Sequence, residues 1–298
     1  MLKFFARLFG INTDNDASYT DNMVNEPIDE VQVMYGVRLD AVSPGLLIDG
    51  FKAQTKIDLS KELDRNTSKP AIDLKKHFIC LNKTLGSLSS ISGVDFSVHR
   101  AKVACVMDKS GSLSKQYRDG IIHEILLKIM PVALQFDDNG ELDFWAFSND
   151  FARISGMTLS NFDNYVEDVI QREYPKYGGT EFSPVLVDIY KKYCIEEPSN
   201  LPVYIIFITD GDNADKKETT KIIRELAKHN IFIKFIGTGN NTNFEYLRGL
   251  ENVPKEVDNT DFFSAESIVA MNDNTLYENI LRKYPEWLVA RSNIKSES

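Results

Sequence analysis

The sequence predicts an α/β domain with a doubly wound, mostly parallel β-sheet, and three observations support this fold class. Short, continuous apolar runs recur after residue 100, as expected of strands that are buried on both faces. These runs alternate with longer segments whose apolar residues follow helical spacing. Polar loops follow the apolar runs, and ligands of such sheets bind at the carboxyl ends of the strands.

Each predicted element follows from one of these patterns. The predicted strands are residues 103–107, 142–147, 151–154 (at an edge), 203–208, 231–236 and 253–257. The predicted helices are residues 121–133, 161–173, 183–193, 216–229, 244–250 and 275–290. Residues 137–140, Asp-Asp-Asn-Gly, form a turn signal between the first helix and the second strand.

The first hundred residues are predicted to be an attachment to this domain. Residues 1–30 form an arm and linker, and residues 31–99 an extension of mixed structure that packs on the domain at 100–291, which a tail at 292–298 follows. Within the extension, 31–39 alternate like a strand, 72–85 favour a helix and 86–93 form a serine-rich connector. The basic, aromatic residues 1–10 favour docking on the protein itself over a membrane-surface helix.

Composition limits the function classes. The chain has 298 residues and a formal net charge of −10, so binding to nucleic acid phosphates is not expected. The three cysteines are scattered and form no CxxC pair, which disfavours disulfides and zinc and indicates a reducing, cytoplasmic setting. The four histidines show no metal-ligand spacing, and the sequence has no nucleophile elbow and no phosphate-binding loop.

Three polar segments at loops carry the candidate chemistry. The strand at 103–107 runs into Asp108-x-Ser110-x-Ser112, where alternate side chains can converge on one point. The strand at 203–208 runs into Thr-Asp-Gly and places Asp210 at its tip. Between them, a Gly-Gly-Thr loop offers the Thr180 hydroxyl on backbone that can bend tightly. These five residues are therefore predicted to meet at one edge of the sheet.

Hydroxyls and carboxylates are hard oxygen ligands. A set of three hydroxyls and two carboxylates, completed by water, suits Mg²⁺, with Mn²⁺ or Ca²⁺ as alternatives, and does not suit zinc or copper. Hydroxyl ligands leave a divalent ion under-neutralised, so that it attracts an external carboxylate. The pattern thus predicts a protein partner that supplies an Asp or Glu to the metal.

The same segments resemble the metal-ion-dependent adhesion site of von Willebrand factor A (vWA) domains. The resemblance implies that Asp108, Ser110, Ser112, Thr180 and Asp210 are the metal ligands, with the hydroxyls bound directly and the carboxylates bound directly or through water. Residues 102–112, 135–145, 204–213, 258–263 and 284–288 further resemble the bacterial tellurium-resistance vWA subgroup. This resemblance implies a role in a bacterial stress-response or tellurium-resistance complex.

Other interpretations remain open at this stage. The same ion could serve a Mg²⁺-dependent hydrolase or phosphoryl-transfer enzyme, but the motif loops contain no His or Cys to act as base or nucleophile, and a non-enzyme is favoured. A third reading is a degenerate fold that binds no metal. Lys109 is interpreted as a solvated neighbour of the motif. Asp212 and Asp215 are interpreted as the first turn of the following helix.

Overall fold

A central sheet of six strands, in the order β3-β2-β1-β4-β5-β6, organises the computed structural model. The structure describes residues 67–137, 139–239 and 244–297, with side chains through Ile294. The strands are β1 (Lys102–Asp108), β2 (Leu142–Phe147), β3 (Phe151–Met157), β4 (Val203–Thr209), β5 (Ile231–Thr238) and β6 (Thr260–Ala265).

All neighbouring strands are parallel except β2 and β3, which form an antiparallel pair at one edge. Every residue of β4 and β5 is buried, because helices cover both faces of a sheet made of parallel strands. The carboxyl ends of β1 and β4 lie side by side, with Met107 paired to Ile208. The predicted mostly parallel α/β sheet is confirmed, and its topology brings the loops after β1 and β4, which carry Asp108 and Asp210, to one edge.

The described helices flank this sheet. They are α1 (Lys69–Ser92), α2 (Ser114–Arg118), α3 (Ile121–Phe136), α4 (Gln171–Glu173), α5 (Ser183–Tyr190), α6 (Lys216–Leu226), α7 (Glu245–Gly249), α8 (Asp273–Leu281) and α9 (Tyr284–Glu297). Short 3₁₀ turns occupy Gly111–Leu113, Phe162–Asn164 and Leu250–Asn252, and π-helical turns occupy Val166–Ile170 and Lys191–Glu196.

The two faces of the sheet have separate apolar contacts. Cys105 and Met107 of β1 join Ile125 of α3 in the main core cluster. On the opposite face, Phe207 of β4 lies 4.7 Å, between ring centroids, from Phe182 at the start of α5. α1, α3 and α8 pack together, and α5 packs against α6. The chain is therefore wound on both faces of the sheet.

Helix α1 is longer than the sequence predicts. The expected connector at 86–93 is wrong, because the helix continues to Ser92 and ends at Gly93 in the left-handed conformation, with φ of 74°. The serine hydroxyls at 87, 90 and 92 donate hydrogen bonds to the carbonyls four residues earlier, which lets them remain helical. Burial of Leu74, Leu81 and Leu85 holds this helix on the domain.

The last strand is also displaced from its predicted position. Residues 253–257 are irregular, and the strand that completes the sheet is β6, which pairs with β5 through Asp261 and Lys234 among others. The sequence does not predict β6 because only Phe262 and Phe263 of its six residues are large and apolar, and a carboxylate, Asp261, lies at its second position. The predicted closing helix at 275–290 is divided into α8 and α9, and α9 continues to Glu297.

The predicted arm, linker and strand within residues 1–66 lie outside the described residues. Within the described part of the chain, no helix has both the length and the hydropathy that a membrane crossing needs.

Candidate metal centre

The loop after β1 holds Asp108 in a fixed orientation. Its carboxylate accepts hydrogen bonds from the Thr209 hydroxyl (2.6 Å) and from the main-chain N–H of Ser110 (2.6 Å). Its carbonyl accepts a hydrogen bond from the Tyr117 hydroxyl at 2.9 Å. Because Thr209 ends β4, the first bond joins the tips of the two central strands. Asp108 is fully buried and cannot rotate without breaking these contacts.

Ser110, Ser112 and Asp210 lie together at this edge. The Ser110 and Ser112 hydroxyl oxygens are 3.0 Å apart, and Ser110 Oγ lies 3.5 Å from Asp210 Oδ1. Ser110 is buried, whereas Ser112 is exposed and Asp210 is half-buried. The polar atoms therefore form a cluster that solvent or a partner can reach from one side.

The Gly-Gly-Thr loop is joined to both other loops through its main chain. The Gly111 N–H donates to the Gly178 carbonyl at 2.9 Å, and Ser110 and Gly178 form an isolated parallel bridge. The Ala214 N–H donates to the Thr180 carbonyl at 2.9 Å. Thr180 is half-buried. The main-chain bonds thus bring the third segment alongside the loops that carry Ser110 and Asp210.

Glycine is required at 178 by close packing. A Cβ at this position would lie 2.7 Å from Asn149 Oδ1 and 2.9 Å from Ser148 Oγ. Asn149 Oδ1 also accepts a hydrogen bond from the Gly179 N–H at 2.6 Å. The loop after β2 therefore supports the Gly-Gly-Thr loop from the side opposite Gly111.

Asp215 is the N-cap residue of α6, and Asp212 forms an ion pair with Lys216 at 3.1 Å, so both lie at the start of this helix as predicted. Their carboxylates, however, accept hydrogen bonds from other helices. The Asp215 carboxylate accepts hydrogen bonds from the main-chain N–H groups of Phe182 (3.0 Å) and Ser183 (2.7 Å), at the start of α5. The Asp212 carboxylate accepts from the N–H of Tyr246 at 2.9 Å, in α7. Both side chains satisfy unpaired N–H groups of helices distant in sequence, a role that sequence spacing cannot show.

The electrostatic environment of Asp108 is unfavourable to its charge. Burial raises the pKa of Asp108 to about 6, although the hydrogen bonds from Thr209 and Ser110 oppose this shift. A desolvated carboxylate beside a second one, Asp210, gains stability when a cation lies nearby. The arrangement therefore suits a positively charged ligand.

Lys109 was expected to be solvated, and this expectation is wrong because its side chain is fully buried. Its ammonium group donates a hydrogen bond to the Tyr174 carbonyl and lies 4.7 Å from the ring centroid of Tyr177 and 5.7 Å from that of Tyr117. Burial lowers the pKa of Lys109 to about 8. The preference of cations for aromatic faces explains how the charge is accommodated although no carboxylate of the described residues pairs with it. Sequence spacing does not show this because Tyr174 and Tyr177 come from a distant segment.

The donor chemistry fits a hard divalent cation. Within the described residues, no three His, Cys, Asp or Glu side chains form a metal-binding group, so any ion at this edge must rely on hydroxyl oxygens. Ser112 and Asp210 each supply an oxygen within hydrogen-bond distance of Ser110 Oγ, and Asp108 adds a buried carboxylate. Oxygen-only ligation is characteristic of Mg²⁺, Mn²⁺ and Ca²⁺.

Solved structures with a related fold include proximal thread matrix protein 1 of the mussel byssus, with 17% identity, a TM-score of 0.45 and coverage of 61% of this chain. This chain spans about half, 47%, of the length of that protein. Manganese-loaded TRAP protein of Plasmodium vivax has 17% identity and a TM-score of 0.44, over 56% of this chain and 69% of its own.

Sequence relatives give a more specific result. The protein YcbR of Bacillus subtilis (strain 168), described as uncharacterized, is 36% identical over 191 residues, which are 63% of this chain and 77% of YcbR. The profile of the vWA-TerF-like family, described as the vWA domain found in the TerF C terminus, matches residues 100–295. A match over this share of the chain, on a sheet of this topology, shows that the protein belongs to the vWA-TerF-like family.

Proposed function

We propose that this chain is a non-enzymatic interaction module that binds an acidic side chain of a protein partner through a divalent metal. Asp108, Ser110, Ser112, Thr180 and Asp210 would hold the ion, with Mg²⁺ as the expected occupant and Mn²⁺ or Ca²⁺ as alternatives. The bound ion would supply a positive charge that attracts a carboxylate. vWA-type domains commonly mediate metal-dependent protein interaction, which supports this proposal.

The observation that carries the proposal is the cluster formed by Ser110, Ser112 and Asp210. Its oxygens lie within 3.0 and 3.5 Å of Ser110 Oγ, and Ser112 is exposed to solvent. Asp210 is the one charged member of this cluster and cancels one of the two charges of a divalent ion, whereas the Asp108 carboxylate, held by Thr209 and the Ser110 N–H, would act on the ion through water. An open side and incomplete neutralisation together favour an external carboxylate over a closed, structural site.

The hydrogen bonds around the cluster support preorganisation. Thr209 and the Ser110 N–H fix both oxygens of Asp108, and Asp215 fixes the start of α5, two to three residues after Thr180. A rigid arrangement lowers the entropy lost when a ligand binds. The chain's own residues would therefore hold the donors in place before the ion and the partner arrive.

The resemblance of the chain to the tellurium-resistance subgroup suggests the biological setting. We propose that the partner belongs to a bacterial stress-response or tellurium-resistance complex. The family match to the TerF vWA domain supports this setting.

Metal binding and partner binding are tested separately, and metal binding is measured first. Titration calorimetry with Mg²⁺ and Mn²⁺ should give saturable binding to the purified chain, and Asp210→Ala should abolish it. Asp119→Ala is the matched control, because Asp119 is exposed and pairs only with Lys115 in the described structure, and it should bind as the wild type does.

The partner is tested by capture from the native host on immobilised chain. A protein that is retained with Mg²⁺, released by EDTA and lost with Asp210→Ala is expected, and replacing one of its Asp or Glu residues should abolish binding. A complex that survives both EDTA and Asp108→Ala would contradict the mechanism. Hydrolysis of phosphate esters by clean protein, abolished by Asp210→Ala, would instead support the alternative of a metal-dependent enzyme.

A further inference from the structure

A cavity lies beside the edge strand β6, away from the motif loops. Its volume is about 500 Å³, within the range of small-molecule sites. Three phenylalanines supply apolar surface, and three basic and two acidic side chains supply charges: Phe235, Phe262 and Phe263, and Arg248, Arg282, Lys283, Glu251 and Asp261. The cavity therefore combines an apolar lining with a small number of charged groups.

A buried ion pair lies behind this cavity. Lys234 of β5 and Asp261 of β6 pair directly in the sheet register, and their side chains are 0% and 1% exposed. Burial lowers the pKa of Lys234 to about 8, so its amine is mostly protonated at pH 7. Lys234 and Asp261 therefore form a pair with no net charge.

Arg282 adds a positive charge to this pair. Its Nη2 donates to Asp261 Oδ1 and, at 3.1 Å, to the Phe262 carbonyl. Asp261 is the one carboxylate that lies within ion-pair distance of Arg282 in the described part of the chain, and Lys234 already neutralises it. The Arg282 side chain is 52% exposed. A guanidinium held by a buried carboxylate, with its charge uncompensated, is a preorganised receptor for an anion.

The remaining donors of Arg282 are available to a ligand. Both of its hydrogen bonds within the described residues come from Nη2, which leaves the N–H groups of Nη1 and Nε. The neighbouring Lys283 does not share this property, because its ammonium lies 2.8 Å from Asp258 and 3.5 Å from Glu251. Arg248 also lines the cavity, but its guanidinium lies over the rings of Phe244 and Phe262, 5.9 and 5.6 Å from their centroids. We therefore expect the anion to bind on Arg282, whose position Asp261 and the Phe262 carbonyl fix.

The edge of β6 is poorly suited to an added peptide strand at this point. The Phe262 N–H donates to Asp261 Oδ1 at 2.9 Å, and the Phe262 carbonyl accepts from Arg282. Strand addition needs these main-chain groups to be free. The cavity is thus better suited to a small molecule than to an extended peptide.

We propose that this cavity binds a small organic anion, in which a carboxylate or phosphate group contacts Arg282 and an apolar body packs on Phe262 and Phe263. This site is independent of the metal centre. It does not use any of the five proposed metal ligands, so binding is expected to persist in EDTA.

The test is a calorimetric titration at pH 7 in EDTA with four probes: benzoate, phenyl phosphate, acetate and inorganic phosphate. The two aromatic anions should bind saturably and more tightly than the two without an apolar body. The tighter of benzoate and phenyl phosphate identifies the preferred head group. Phenol, which has the apolar body without the charge, should bind at least about tenfold more weakly than the preferred anion.

Three variants assign the binding to Arg282. R282Q should weaken binding of the preferred anion by about tenfold or more, because the ion pair and both free donors are lost. R282K keeps the charge without the planar fork and should lose part of the affinity, which provides a second measurement if R282Q folds poorly. R172Q removes an exposed arginine on α4 and should bind as the wild type does. Absence of saturable binding by both aromatic anions, or equal binding by wild type, R282K and R282Q, would overturn the proposal.

Discussion

The carboxylate of Asp215 accepts a hydrogen bond from the main-chain N–H of Ser183, 32 residues earlier in the chain, at 2.7 Å. A second bond, from Phe182, completes the contact at the start of α5. Thr180 lies three residues before this helix, and its carbonyl accepts a hydrogen bond from the Ala214 N–H, so the segment that follows β4 positions the loop that carries Thr180. The contact couples the segments of the candidate metal centre.

Replacement of this cap should affect both stability and metal binding. Asp215→Ala is expected to lower the free energy of unfolding by about 1–2 kcal/mol, because two N–H groups of α5 lose their acceptor. It should also weaken Mg²⁺ binding, since Thr180 loses its support. Chemical denaturation and metal titration of the same preparation measure the two effects. If the variant is clearly destabilised but its metal affinity is unchanged, Asp215 stabilises α5 without contributing to the metal site.

Asp108→Asn should have opposite effects on stability and metal binding. Burial raises the pKa of Asp108 to about 6, so at pH 7.5 the folded chain holds a carboxylate whose charge is disfavoured. Without metal, the amide should raise the free energy of unfolding by about 1–2 kcal/mol. It should also abolish Mg²⁺ binding and the rise in Tm that Mg²⁺ causes in the wild type. Asp119→Asn, at an exposed site, should change neither quantity.

The fold and the positions of the donors could be predicted from sequence because both depend on local patterns. A continuous apolar run such as 203–208 predicts a strand in a parallel sheet, and the residue after it then lies at the edge where ligands bind. Asp108, Ser110 and Asp210 are brought together in this way.

What could not be predicted depends on contacts between distant segments. Lys109 is charged, and its burial becomes understandable only when Tyr174 and Tyr177 fold over it. Asp261 within β6 is stable only because Lys234 lies beside it in β5. In each case the residue is charged and is therefore predicted to be exposed, although its position is buried. The partner that allows its burial cannot be identified from the spacing of residues along the chain.

Two glycine substitutions should have opposite consequences. Gly178→Ala places a Cβ 2.7 Å from Asn149 Oδ1 and 2.9 Å from Ser148 Oγ, so either these side chains or the Gly-Gly-Thr loop must shift. Because Asn149 also holds the Gly179 N–H, either shift disturbs the loop, and Mg²⁺ binding should weaken by about tenfold or more. Gly86→Ala meets no atom within 4 Å inside α1 and should stabilise the chain by about 0.5–1 kcal/mol without changing metal binding. Metal titration and thermal unfolding of both variants compare the positions directly. Equal metal affinities would show that the loop tolerates the added methyl group.

His99 should contribute to acid sensitivity. Burial lowers its pKa to about 4, with a smaller contribution from Arg100, and its ring packs against Phe136 and Tyr284. The unfolded chain binds a proton near pH 6.5 whereas the folded chain does not, so stability is lost as the pH falls from about 6.5 to about 4. The free energy of unfolding should decrease by on the order of 2–3 kcal/mol over this pH range.

A comparison with His99→Phe isolates this contribution from that of the carboxylates. The variant keeps the aromatic packing but lacks the titrating group and its hydrogen bond with the Tyr284 hydroxyl at 3.0 Å. Its free energy of unfolding should therefore be lower at pH 7 and should fall less steeply between pH 6.5 and pH 4. Denaturation curves at several pH values provide the measurement. Parallel profiles for the two proteins would assign the acid sensitivity to other groups.

Helix α1 should be required for a stable domain although it precedes residue 100, where the family match begins. Its residues Ala71, Leu74 and Leu81 are fully buried in the same core cluster as the strands. A chain that begins at residue 67 should therefore unfold cooperatively, whereas one that begins at residue 100 exposes the apolar surface of α3 and α8 and should be unstable or aggregate.

Point substitutions in α1 test the same contact. Leu81→Ala should lower the free energy of unfolding by about 2–5 kcal/mol, and Ile79→Ala, at a side chain that is half exposed, should lower it by less than about 0.5 kcal/mol. If the chain from residue 100 is as stable as the chain from residue 67, α1 only lies on the domain; if it is not, the folding unit includes α1 and extends beyond the family match.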